Sequence, residues 1–215
     1  TANDLQDARR QLADAGKLSS FGFGFINSYN TEMATGGDLE DPKKALESTA
    51  IANDFDFLHV IDWQKAEQVV ADGKTENMNG MTMIRLDVAV AEGVLHFVPE
   101  PRNPHGVDVN PTGDYMGVSG KLDPHASVFS IEKIKAAIAA EDYDGTDEFG
   151  VPILKMESCL EALVELGNGP LHTQFDGDGN AYTSLFVDSA VAKWTLGPQA
   201  GVAEGKTRTK VDHLP

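Results

Sequence analysis

The chain has 215 residues, with 34 acidic against 17 basic side chains for a formal net charge of −17, and a single cysteine. Nucleic-acid affinity rests on Lys and Arg displacing counterions, so this charge argues against a phosphate-binding face, and one cysteine excludes both an internal disulfide and a CxxC metal pair. No apolar run approaches the roughly 20 residues that cross a bilayer as a helix, so no membrane span is expected.

Thr1 is no initiator, no charged-then-apolar leader precedes it, and the chain stops at Pro215 without a cap, so the sequence reads as an internal fragment. Self-repulsion at −17 destabilises a compact state in dilute buffer and is screened by concentrated salt, which suggests a halophilic source. The melting temperature should therefore rise from low to molar KCl; a flat profile would reject the halophilic reading.

Residues 1–18 are polar and Ala-rich and lead into an expected strand at 21–26 (FGFGFI), whose glycines imply close packing. The polar turn at 27–32 (NSYNTE) places the oxygens of Tyr29 and Glu32 three residues apart and by itself reads as a solvated loop. A flexible insert at 35–41 and a short helix at 42–47 follow. Residues 55–61 (FDFLHVI) are expected as a core strand, with His59 a core residue. Asp62 is placed to cap a helix over 63–71, and Gly73 to end it. A turn at 77–80 leads to an expected strand over 81–88, whose methionines read as packing, and a strand over 94–98 carries a structural His96. A helix is expected over 132–140 with Ile134 and Ile138 inward, an acidic surface link over 141–148, and an amphipathic helix over 156–166 closed by Gly167. Cys159 reads there as a small buried apolar side chain.

The rest is organised around residues 101–130, PRNPHGVDVNPTGDYMGVSGKLDPHASVFS, whose pattern returns at 169–196, GPLHTQFDGDGNAYTSLFVDSAVAKWTL. In each copy a histidine (His105, His172) follows a proline turn, a Gly-Asp turn comes next, and two β-branched or aromatic runs finish the unit. The histidines lie 67 residues apart and each stands ten residues before a tyrosine, Tyr115 or Tyr182. Two blade-like units with an inserted helix are predicted, the histidines occupying the same corner of each, in an all-β, propeller-like assembly. Stiff, repeated histidine loops suit a metal that accepts imidazole, such as copper, zinc, iron or nickel, but two histidines complete none of the usual shells. From this pattern alone, a metal site completed elsewhere and a purely structural pair both remain open.

The blocks Asn103-Pro104-His105-Gly106, Gly117-Val118-Ser119-Gly120-Lys121-Leu122, Gly169-Pro170-Leu171-His172-Thr173 with the following FDGDGNAYTSLFVDSAVAKW, and Tyr29-Asn30-Thr31-Glu32 resemble the nitrous-oxide reductase family. The resemblance runs from about Ser20 to Trp194 and weakens over 33–47 and 141–157. It implies that residues 1–215 are part of the family's N-terminal seven-bladed β-propeller, about three blades with short inserted helices, and that the C-terminal cupredoxin domain with its dinuclear copper centre lies outside this sequence. It further implies two-electron reduction of nitrous oxide to dinitrogen and water, the last step of denitrification, at a four-copper sulfide cluster held by seven histidines.

Two of those seven ligands map here, to His105 and His172, while His59, His96 and His125 match none. A calcium site is also implied, its oxygen ligands mapping to Tyr29, Glu32, the Ala50 carbonyl, Asp56 and Asn103; oxygen-only ligation suits that hard cation. Asn103 stands two residues before His105, so calcium would brace a copper loop. A periplasmic or otherwise extracytoplasmic location, a homodimer and a cytochrome or cupredoxin electron donor are implied likewise. The opposing reading is a non-catalytic propeller, a binding scaffold whose loop histidines are structural.

Overall fold

The computed structural model describes residues 20–27, 56–100, 104–121, 123–176 and 178–196, together with the backbone of 207–212. Three open sheets carry most of the described chain. The first holds β1 (Phe23–Asn27), β2 (Asp56–Asp62), β5 (Leu95–Glu100), β10 (Pro152–Leu154) and β9 (Tyr143–Thr146) in that order. The second runs β11 (Leu160–Glu165), β8 (His125–Ser130), β7 (Tyr115–Gly120), β6 (Pro104–Val109), and the third is a meander of β12 (Pro170–Phe175), β13 (Asn180–Leu185), β14 (Ala190–Thr195) and β15 (Thr207–Asp212). A hairpin, β3 (Glu76–Met78) with β4 (Met81–Met83), stands apart from them. Apart from the parallel contact of Ile153 with Phe97 between β10 and β5, the pairings in these sheets are antiparallel.

Period-two alternation explains why the middle sheet is covered on both faces. Along β7 and β8, Met116, Val118 and Phe129 join a core with Phe25, Leu58, Val60 and Val98 of the first sheet, whereas Ala126 and Val128 join Ala181, Leu185, Ala192 and Trp194 of the third. Gly117 lies under the Trp194 indole, where an added Cβ would sit 3.8 Å from the ring. The three sheets thus stack face to face like neighbouring blades. Their edge strands β1, β6 and β12 come together, β6 touching both of the others.

Short helices fill the connections. Asp62 caps α1 (Trp63–Ala71), accepting the Lys65 N–H at 2.9 Å, and Gly73 follows in the left-handed region at φ 71°. The helix α3 (Ile131–Ala139) is capped by Ser130 and buries Ile131, Ile134 and Ala137 against the first core, with Ile138 packed on it.

Two sequence expectations fail. Residues 81–88 are not one strand: β4 stops at Met83 and α2 (Leu86–Ala91) follows, because the Asn79-Gly80 turn, with φ of 53° and 86°, sets a three-residue hairpin, after which the alanine-bearing run closes helical bonds onto Arg85 and Val88. Residues 156–166 are not one helix either. Helix α4 is the single turn Met156–Cys159, and Leu160–Glu165 pairs with β8, burying Ala162 and Val164 while Leu163 and Glu165 face outward. A free edge on β8 and an alternating Ala-Leu-Val-Glu run outweigh the helical propensity of the same residues. Cys159 is fully buried there, its thiol pushed up to about 12 chiefly by burial. The expected acidic link contains β9. The expectations for residues 1–18, 35–41 and 42–47 lie outside the described residues.

Candidate metal centre

The adjoining edge strands β6 and β12, from two different sheets, carry the two histidines. Each strand begins with proline, and each slips register just where its histidine falls, between Pro104 and Val107 on β6 and between Pro170 and Thr173 on β12. Such slips re-aim side chains at a sheet edge. They bring the His105 and His172 rings to 5.0 Å between centroids, edge to face at 85°. Both side chains are exposed, His172 by 56%. The expectation that they occupy the same corner of two like units holds.

Gly106 makes this approach possible. A Cβ built there would lie 2.1 Å from the Leu171 carbonyl oxygen and 3.0 Å from the His172 Cα, so the two backbones touch where any side chain would stand. One strand supplies His105 and the space beside it; the other supplies His172.

Asp108, which sequence reading did not single out, joins them. Its carboxylate accepts the Thr173 N–H at 2.7 Å and lies 3.4 Å from His172 Nδ1. A carboxylate on Nδ1 favours the tautomer protonated there and leaves Nε2 with its lone pair directed elsewhere, the usual arrangement behind a metal-binding imidazole. Thr173 is held from the other side as well, its hydroxyl 2.7 Å from the Thr183 hydroxyl, which accepts the Trp194 Nε1–H at 2.8 Å. His172 is therefore anchored through a fully buried tryptophan. Burial, and then the neighbouring His172, lower the His105 pKa, with Asp108 opposing. This favours the neutral imidazole, the form that binds metal.

The other described histidines, His59, His96 and His125, sit apart in chemistry as well as in sequence. His59 packs tilted against the Phe97 ring, centroids 4.6 Å apart, and buried His96 lies 3.5 Å from the Tyr143 hydroxyl; desolvation lowers the pKa of both histidines. His125 pairs with Asp123 at 2.7 Å. Among the described residues no group of three or more His, Cys, Asp or Glu side chains is gathered as a metal shell. His105 and His172 present two exposed imidazoles side by side, a donor type that copper accepts, as do zinc, iron and nickel.

Of the implied calcium ligands, Tyr29, Glu32, Ala50 and Asn103 lie outside the described residues. Asp56 begins β2, is 2% exposed, and stands directly across from Glu100 at the end of β5. Asn27, two positions further on the same face of the sheet by way of Leu58, ends β1. Both Glu100 carboxylate oxygens and both Asn27 amide atoms are buried without a hydrogen-bond partner among the described residues. Burial, then the charge of Asp56, push the Glu100 pKa well above the ordinary carboxylate range. Like charges opposite each other on adjacent strands destabilise a sheet, and a buried carboxylate without a partner costs several kcal/mol. Orphaned oxygens of this kind fit a hard cation.

No family model matches the chain. Curated relatives do. It is 34% identical over 203 residues, 93% of its length, to the nitrous-oxide reductase of Ralstonia nicotianae, and 34% identical over 206 residues to that of Cupriavidus necator. It is 36% identical over 148 residues to the nitrous-oxide reductase of Stutzerimonas stutzeri. Over this matched stretch the chain belongs to the nitrous-oxide reductase family. It spans about 28% of the length of the Ralstonia and Cupriavidus enzymes and 22% of the Stutzerimonas one. Among solved structures, Kuenenia stuttgartiensis hydrazine synthase superposes over 84% of this chain and 44% of its own with a TM-score of 0.47 and 12% identity, a likeness too slight to bear on function. Among the described residues no helix is long and apolar enough to cross a membrane.

Proposed function

We propose that the chain is the middle of the seven-bladed N-terminal propeller of a nitrous-oxide reductase, acting in full-length form as an extracytoplasmic homodimer fed by a cytochrome or cupredoxin. The reaction is N2O plus two protons and two electrons to N2 and water, the closing step of denitrification. A four-copper sulfide cluster, when bound, supplies the electrons and the site at which the N–O bond breaks. His105 and His172 hold it through ring nitrogen and carry no proton in the reaction. Asp108 keeps His172 in the tautomer that leaves Nε2 available, and Gly106 lets the two imidazoles reach one centre. Calcium, held by Tyr29, Glu32, the Ala50 carbonyl, Asp56 and Asn103, braces the loop before His105.

The observation that carries this reading is the pair of imidazoles 5.0 Å apart at matching register slips of adjoining edge strands. Copper and acid-labile sulfide in the full-length protein, with nitrous oxide reduction linked to reduced methyl viologen, form the test. The isolated chain should be inactive and the full-length protein active. A full-length protein free of copper and sulfide would make the fold a binding scaffold instead.

A further inference from the structure

Three oxygen-bearing side chains end three neighbouring strands on one face of the first sheet: Asn27 on β1, Asp56 on β2 and Glu100 on β5. The face is the one that buries Phe25, Leu58, Val60 and Val98, so the polar cluster caps an apolar core instead of facing water. Glu100 is only 4% exposed, and neither of its carboxylate oxygens has a hydrogen-bond partner among the described residues. Glu100 stands directly across the β2–β5 ladder from Asp56, a side chain of the same sign. Asn27 turns an amide with buried, unpartnered atoms toward the same end of the sheet.

An apolar residue at position 100 would cap that core more favourably than an unpaired acid, so the carboxylate calls for a positive charge. Among the described residues no basic side chain hydrogen-bonds to Glu100. A metal ion taking oxygen ligands only answers to buried, unpartnered oxygens of this kind. Calcium accepts six to eight oxygens, mono- or bidentate carboxylates and amide carbonyls among them, in irregular geometry, and its affinity follows the number of charged ligands.

We propose that Glu100 is a charged ligand of the cation that Asp56 binds, with Asn27 Oδ1 beside it, so that the ion joins the ends of β1, β2 and β5. This rests on the reading of Asp56 as a calcium ligand and adds two residues that the resemblance does not assign. Glu100 lies four residues before Pro104, where β6 begins, so the ion ties the first sheet to the strand that carries His105.

Calcium binding to the full-length protein, stripped with chelator and followed by calorimetric titration and by the calcium-dependent rise in melting temperature, tests this in wild type, Glu100→Gln and Asp56→Asn. Gln keeps the shape and an oxygen but removes the charge. If Glu100 is a ligand, Glu100→Gln should weaken calcium binding about tenfold or more and reduce the melting-temperature gain, as Asp56→Asn should. If Asp56→Asn weakens binding and Glu100→Gln does not, the calcium site stands and Glu100 is a protonated core acid, which overturns the proposal. A wild-type protein that binds no calcium overturns both. Should Glu100→Gln fail to fold, a crystal structure of calcium-loaded wild type decides: a Glu100 oxygen at about 2.3–2.6 Å from the ion supports ligation, and a longer separation rejects it.

Discussion

Replacing Gly106 by alanine is expected to force β6 and β12 apart and to lose both stability and copper. The new Cβ would meet the Leu171 carbonyl oxygen at 2.1 Å, and that atom is backbone, so no side-chain rotation relieves the contact; the strands must open until the gap reaches at least 3.0 Å. Opening them draws Asp108 away from Thr173 and His172, because its carboxylate spans the same seam. Overpacking costs typically 1–3 kcal/mol, and a clash between two main chains belongs near about 3 kcal/mol. Gly117→Ala is the control, since its Cβ would sit in ordinary contact with Trp194. Urea midpoints and copper content of the full-length variants measure the difference. A Gly106→Ala protein with the wild-type midpoint and full copper would show that the seam does not depend on a missing side chain.

Replacing His172 by alanine separates chemistry from folding. The ring is 56% exposed and contributes little to the core, so the stability change should stay within about 0.5 kcal/mol. Its neighbours Leu171 and Thr173 offer no comparable nitrogen, so copper at the hub should fall and nitrous oxide reduction should vanish in the full-length enzyme. Asp56→Ala acts further from the metal and should lower copper retention in a way that added calcium partly restores, by a factor of about 10 to 100 at most. Calcium should do nothing for the His172 variant. Full copper and full turnover in His172→Ala would remove it from the ligand set.

Much of this was legible in the sequence because turn chemistry and alternation are local signals. The Pro-His corners, the Gly-Asp turns, the capped helix after Asp62 and the strand pairs after Tyr115 and Tyr182 all follow from residues within a few positions of each other. Leu160–Glu165 was not legible, since its run suits either a helix or a strand and the free edge of β8 that decides between them lies 31 to 40 residues upstream, Phe129 opposite Leu160 and His125 opposite Glu165. Asp108 was hidden for a related reason: its partners are 64 and 65 residues away, and an aspartate after Val107 looks like any solvated strand residue. Glu100 did leave a signal, an acid closing the apolar run of β5, which alternation alone would have assigned to the buried face.

The order in which strands are laid down has its own consequence for a chain made from its N-terminus. After β5, the first sheet keeps an unpaired edge while the whole of β6, β7 and β8 is synthesised, because its next neighbour, β10, begins only at Pro152. The second sheet then waits too, with β8 uncovered until Leu160–Glu165 arrives. Both open edges are closed within the stretch 152–165, so a nascent chain that has completed β8 but not reached Pro152 exposes two templates for mispairing at once. The third sheet escapes this, since β12 to β15 each pair with the strand just made. The excursion from β8 out to the first sheet and back therefore makes the first two sheets a single obligate unit of biogenesis, even though each looks like a separate blade once complete.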